Sequence, residues 1–117
     1  KNMSPANIEA RLKAAHPLIG QAMCVGDRRP YNVALLVLDP EVAAGFDGDV
    51  DTTIAEAVQH ANAQLSRVEQ IKRYTVLDTE WLPDSDELTP TMKLKRRGVL
   101  AKYASEIEAL YSSSTGS

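Results

Sequence analysis

Apolar positions along the chain alternate between helical and extended spacing. Ser4 before Pro5 reads as a helix start, and Ile8, Leu12 and Ala15 then recur on one face until His16-Pro17 stops the run. This predicts a helix over residues 5–15, with His16 capping its end. Residues 19–25 are apolar apart from Gly20, and the turn Gly26-Asp27-Arg28-Arg29-Pro30 separates them from a longer apolar run at 33–38. Two antiparallel strands are expected there. Asp39-Pro40 ends the second, and a polar connection over 45–51 leads to Thr53 and Glu56, which have the spacing of a capping box. The helix that follows carries Ile54, Val58, Ala61 and Leu65 on one stripe. Residues 71–77 are rich in β-forming side chains and predict a third strand, and 83–87 a solvated turn. A last helix is expected from about 94 to 111, where Val99, Tyr103, Ile107 and Leu110 face inward and Arg97, Lys102 and Glu106 stay wet.

This order defines an α+β fold: a small three-stranded, mainly antiparallel sheet flanked by three helices. The helices must cover at least one sheet face, because three strands alone bury too little to be stable. A chain of 117 residues, 44% of them hydrophobic, has room for one domain with a core, assigned to residues 1–111, and little for a complete multi-substrate enzyme. The tail at 112–117 is expected to be disordered.

Net charge of -3 and 5% aromatic residues argue against a dedicated nucleic-acid binder. The lone Cys24 sits among apolar neighbours, which excludes a disulfide framework, suits a reducing compartment and reads as a buried small side chain rather than a nucleophile. No apolar run approaches the ~18 residues of a membrane span, so a cytoplasmic location is expected, with peripheral association at a membrane left open. His16 and His60 lack ligand spacing, and no metal site is expected. Asp84, Asp86 and Glu87 read as a turn rather than an acid/base pair, and Trp81 and Tyr74 as core or interface surface.

The candidate chemistry lies at residues 89–97, Thr-Pro-Thr-Met-Lys-Leu-Lys-Arg-Arg, between an acidic turn and an amphipathic helix. A proline-stiffened loop would hold Lys93 at a helix entrance, where backbone N–H groups favour anions. Taken alone, this is an anion site. A binding module that uses the basic 93–97 cluster to hold nucleic acid or protein is the competing class.

Two ends of the chain sharpen the reading. Lys1-Asn2-Met3-Ser4-Pro5-x-x-Ile8-Glu9 resembles the second half of the G-x-N-I-S-P-x-x-I-E motif that opens the C-terminal domain of AMP-forming acyl-CoA synthetases. Leu88-Thr89-Pro90-Thr91-Met92-Lys93-Leu94-Lys95-Arg96 and Gln70-Ile71-Lys72-Arg73-Tyr74 are similar to segments of the long-chain branch. The resemblance implies a long-chain fatty acid:CoA ligase that forms an acyl-adenylate and then an acyl-CoA. Lys93 is implied as its catalytic lysine, Lys1, Asn2, Met3, Arg28 and Arg29 as CoA contacts, and Lys95 and Arg96 as phosphate contacts. ATP and CoA are implied as substrates, with Mg2+ held mainly by the large N-terminal adenylating domain, the implied partner in the same polypeptide. The chain opens inside the first motif, so an excised C-terminal domain, nearly inactive by itself, is expected. Met92 stands where many relatives carry glycine, a departure the long-chain branch tolerates.

Overall fold

The computed structural model describes residues 4–112. Helix α1, Pro5–Ala15, begins at the Ser4 cap, whose hydroxyl accepts from the Asn7 N–H, and ends at His16, whose ring Nδ1 accepts from the Leu18 N–H. Strands β1, Ile19–Val25, and β2, Asn32–Leu38, form an antiparallel hairpin running from Ile19 opposite Leu38 to Val25 opposite Val33. A short helix α2, Pro40–Ala44, follows, capped by the Asp39 carboxylate, and then α3, Val50–Ala63. Strand β3, Ile71–Val76, pairs with β2 in parallel. The chain closes with α4, Arg96–Lys102, and α5, Ala104–Ser112.

The sheet order is β1-β2-β3. It is therefore mixed, with one antiparallel and one parallel pairing, rather than mainly antiparallel. The reason is the long crossover through α3, which returns the chain to the starting end of β2 and makes a parallel neighbour the available solution. The central run Val33-Ala34-Leu35-Leu36-Val37 is buried on both faces, so it reads as continuously apolar instead of alternating. On one face Ala22, Cys24, Ala34 and Leu36 meet Ile8 and Leu12 of α1 and Ile54, Val58 and Ala61 of α3. On the other, Met23, Val33, Leu35 and Val37 meet Trp81, Leu88, Val99, Tyr103 and Ile107. Helices cover both faces.

Three boundaries differ from the sequence expectation. Helix α3 starts at Val50, with Asp49 as its cap accepting from the Thr52 N–H, so Thr53 and Glu56 lie inside it. The reciprocal capping box belongs instead to Ser66 and Glu69 at a single 3-10 turn, Arg67–Glu69. The last helix begins at Arg96 rather than 94, because Leu94 pairs with Leu88 in extended conformation, and its interruption at Tyr103, together with the short α2, gives five helices among the described residues in place of three.

Burial on both faces makes neighbouring residues of β2 equally sensitive. Leu35→Ala and Leu36→Ala are each expected to cost about 2–5 kcal/mol in urea denaturation. A cost below ~1 kcal/mol at either position would show that its face of the sheet is open.

Candidate functional site

Residues 87–95 fold back on themselves as a narrow ribbon. The Lys95 N–H donates to the Glu87 carbonyl at 2.9 Å, Leu88 bridges Leu94, and the Thr89 N–H donates to the Lys93 carbonyl at 2.8 Å. The tip is closed by the Met92 N–H on the Thr89 carbonyl at 2.9 Å and the Lys93 N–H on Thr89 Oγ1 at 3.0 Å. Pro90 sits at the second turn position, where its fixed φ suits the bend. Met92 then adopts φ 71°, the left-handed conformation that follows a turn in a three-residue hairpin loop and that glycine adopts most easily. Lys93 is exposed beside the tip, and among the described residues its ammonium has no ion-pair partner.

One arm of the ribbon hangs on a buried carboxylate. Glu87 is 4% exposed and accepts at Oε2 from the Tyr103 hydroxyl at 2.6 Å and the Lys102 ammonium at 2.8 Å. Ser85 Oγ donates to its Oε1 and accepts from the Glu87 and Leu88 N–H groups, while the Trp81 ring N–H donates to the Tyr103 hydroxyl at 3.2 Å. Burial alone would push the Glu87 carboxyl up, but the hydrogen bonds from Lys102 and Tyr103 outweigh it and hold the group below the usual carboxylate range. The 83–87 turn is thus not uniformly solvated. A Cβ on Gly98 would lie 2.9 Å from the Asp86 carbonyl oxygen, so glycine is what lets α4 approach this turn.

The other arm runs into α4, and Arg96 at its start reaches across to α1. The guanidinium donates to both oxygens of the buried Glu9 carboxylate, at 2.7 and 2.6 Å, and Glu9 Oε2 also accepts from the Cys24 N–H of β1 at 2.8 Å. The fork that the sequence directs toward phosphate is thus engaged by Glu9. Lys95 lies close by, its ammonium donating to the Ser85 carbonyl at 2.7 Å. The basic residues at 93–97 therefore do not form one continuous cationic face.

The remaining candidates lie in the β1–β2 hairpin. Arg28 is exposed at φ 61°, and Arg29 pairs with Glu108 and stacks over the Tyr111 ring, 4.4 Å from its centroid. Arg29 and Arg96 border one groove of about 580 Å³, floored by Cys24 and Ile107 and rimmed by Pro5 and Leu100. Lys93 is not part of its lining. Burial, reinforced by Glu9, pushes the Cys24 thiol up to about 12, which makes it inert as a nucleophile. Lys1, Asn2 and Met3, expected as CoA contacts, lie outside the described residues. Among the described residues no cluster of three or more His, Cys, Asp or Glu side chains could hold a metal ion, and no helix is long and apolar enough to cross a membrane.

Glu9 and Glu87 carry the site's geometry, and sequence reasoning gave neither a role. Glu9 closes the first motif and follows Ile8 at the edge of the α1 stripe, an acidic residue where the helix turns into the core, and those were the available signals. For Glu87, flanked by Asp86 and Leu88, the sequence held none.

The domain is a mixed three-stranded sheet between two helical layers, with Lys93 on a closed ribbon beside its last helices. Residues 1–115 match the model of the AMP-binding enzyme C-terminal domain, and the chain belongs to that family. It is 50% identical to the putative fatty-acid–CoA ligase fadD11 of Mycobacterium tuberculosis, the match covering 97% of this chain and 22% of that protein. It is 41% identical to the long-chain-fatty-acid–CoA ligase FadD15 of the same organism, covering 95% of this chain and 21% of that protein. The chain thus spans about a fifth of the length of these curated relatives. Among solved structures, it is similar to the adenylation domain of a carboxylate reductase from Mycobacterium chelonae, with a TM-score of 0.77 at 25% identity over 93% of this chain and 18% of that one. The A-PCP didomain of a carboxylic acid reductase from Segniliparus rugosus in complex with AMP gives 0.76 at 25% identity, over 95% of this chain and 16% of that one.

The left-handed Met92 sets the first expectation for this site. Met92→Gly should raise stability by about 0.5–1 kcal/mol net of glycine's backbone entropy, and Met92→Val should lower it by about 1–2 kcal/mol in urea denaturation. A gain with valine would contradict the left-handed loop. The Glu87 network sets the second. Its carboxyl is depressed in the folded state, so below the ordinary value of 4.5 the unfolded chain binds a proton that the native state refuses, and stability falls as pH drops through that window until the folded carboxyl protonates. Glu87→Gln should flatten this part of the acid limb when Tm is measured from pH 5 to pH 2.

Proposed function

We propose that this chain is the mobile C-terminal domain of a long-chain fatty acid:CoA ligase, and that Lys93 is its catalytic lysine for acyl-adenylate formation. The observation that carries the reading is an exposed ammonium that, among the described residues, has no ion-pair partner, fixed beside the tip of a ribbon closed by backbone hydrogen bonds between Thr89 and Met92, Thr89 and Lys93, and Glu87 and Lys95. Rigid placement with an unspent charge is what a group must have to meet developing negative charge without reorganising first. The relatives at 50% and 41% identity, named as fatty-acid–CoA ligases, support the choice of acid and acceptor, since the fold also serves carboxylate reductases.

When a fatty carboxylate attacks the α-phosphorus of ATP, two anions meet, and charge builds on the bridging oxygens as pyrophosphate leaves. At an effective dielectric near 20, two unit charges ~4 Å apart interact by about 4 kcal/mol. Lysine suits the place because a compact charge on a long stem can bridge carboxylate and phosphate oxygens. The partner is an N-terminal adenylating domain of the same polypeptide, which contributes the acyl pocket and most of the ATP and Mg2+ contacts. This domain by itself is then nearly inactive. After adenylation it turns to offer a second surface for CoA, with Lys1, Asn2, Met3, Arg28 and Arg29 as contacts, and Lys95 faces phosphate, while Arg96 stays engaged by Glu9. The enzyme works in the cytoplasm.

In the full-length ligase, Lys93→Ala should lower acyl-adenylate formation from fatty acid and ATP by about three orders of magnitude. Thioester formation from pre-formed acyl-AMP and CoA should be largely spared. Equal loss in the two half-reactions, or none in the first, would defeat the assignment.

A further inference from the structure

We propose that the ion pair between buried Glu9 and half-buried Arg96 is the positioning device of Lys93. The proposal rests on the catalytic reading of that lysine. Arg96 is three residues beyond Lys93 and is the first residue of α4, whose cap position, Lys95, makes no side-chain capping bond. What secures the entrance of α4 is therefore the bidentate contact to Glu9, at 2.7 and 2.6 Å. Glu9 is itself anchored twice, by its place in α1 and by the Cys24 N–H of edge strand β1 at 2.8 Å. A two-bond fork fixes direction as well as distance, which a single ammonium contact does not. The ribbon arm at 87–89 is tied down by the Glu87 network, and Glu9–Arg96 ties down the opposite arm, at 93–95. Between them the loop has no slack, and the Lys93 stem leaves the backbone in one direction.

The pair acts through Lys93 and touches no reacting atom, so its loss should resemble a displaced lysine. A misplacement of about 1 Å is enough to cost on the order of 100-fold in rate. Glu9→Gln keeps the side-chain size and an acceptor for the Cys24 N–H, and removes the charge and one acceptor oxygen. Arg96→Lys keeps the charge and removes the fork. In the full-length ligase each variant should lower kcat for adenylation by about 10–100-fold, with KM for ATP and fatty acid within about two-fold of the parent. Glu9→Gln should leave thioester formation from pre-formed acyl-AMP within about two-fold. The double variant should be no worse than the poorer single one, and Glu9→Gln should add nothing to Lys93→Ala.

Circular dichroism checks that the variants fold, and if one does not, the other carries the same test. Equal loss in both half-reactions, or unchanged adenylation, would overturn the proposal. So would a raised KM for ATP or CoA in Arg96→Lys alone, which would mark Arg96 as a phosphate contact instead. Should Lys93→Ala itself keep full adenylation, the lysine reading falls and this proposal with it. If Lys93→Ala is crippled and Glu9→Gln is not, the positioning role alone is lost.

Discussion

A carboxylate carried into an apolar interior must be met there by cations and hydrogen-bond donors, and Glu9 and Glu87 impose that demand on opposite sides of the same ribbon. Glu9 requires Arg96 and a strand N–H; Glu87 requires Lys102, Tyr103 and Ser85. Those partners come from β1, α4, the helix break at Tyr103 and the turn at 83–87, so two acids decide how four parts of the chain meet. Ion pairs of this kind, a buried acid met by a half-exposed cation, add little net stability relative to well-packed apolar residues, since desolvation of the acid offsets much of the attraction. Their contribution is direction. Moving either acid to the surface would leave the core much as it is and leave the lysine loop without a fixed orientation.

The rest of the basic surface follows from the same demand. Of the cations at 93–97, Arg96 is engaged by Glu9 and Lys95 by a backbone carbonyl, while Lys93 has no ion-pair partner among the described residues. In the proposed site this is a division of labour within five residues, in which some cations hold the ribbon and one acts from it. Arg29 shows the same economy at the far end of the groove, where Glu108 and the Tyr111 ring hold it against α5.

How much of this was legible in the sequence depended on whether a feature was local. Ser4-Pro5 marked the start of α1, and the two apolar runs around Arg28 marked the hairpin, because caps and turns are written in adjacent residues. The parallel pairing of β3 was not legible. Its apolar pattern is the same for either direction, and only the path through α3 decides between them. The capping box at Thr53 misled because Asp49, four residues earlier, offers an equally good cap and leads into a longer helix. Lys93 stood out through its loop, whereas Glu9 and Arg96, 87 residues apart, become a pair only after the sheet has brought α1 beside α4.

The closed ribbon also constrains how the lysine travels in the proposed cycle. Thr89 bonds Met92 and Lys93 through three separate contacts, and the flanking residues pair as a short antiparallel bridge, so bending the loop means breaking several hydrogen bonds at once. Met92 at φ 71° narrows the options further, since a non-glycine residue in that conformation has fewer neighbouring states to relax into than glycine would. A lysine mounted this way is poorly suited to being carried by loop motion. Rigid-body rotation of the whole domain about its upstream connection is the movement that leaves every one of these bonds intact. In that arrangement the precision of the adenylation step resides within the domain, and the mobility resides outside it.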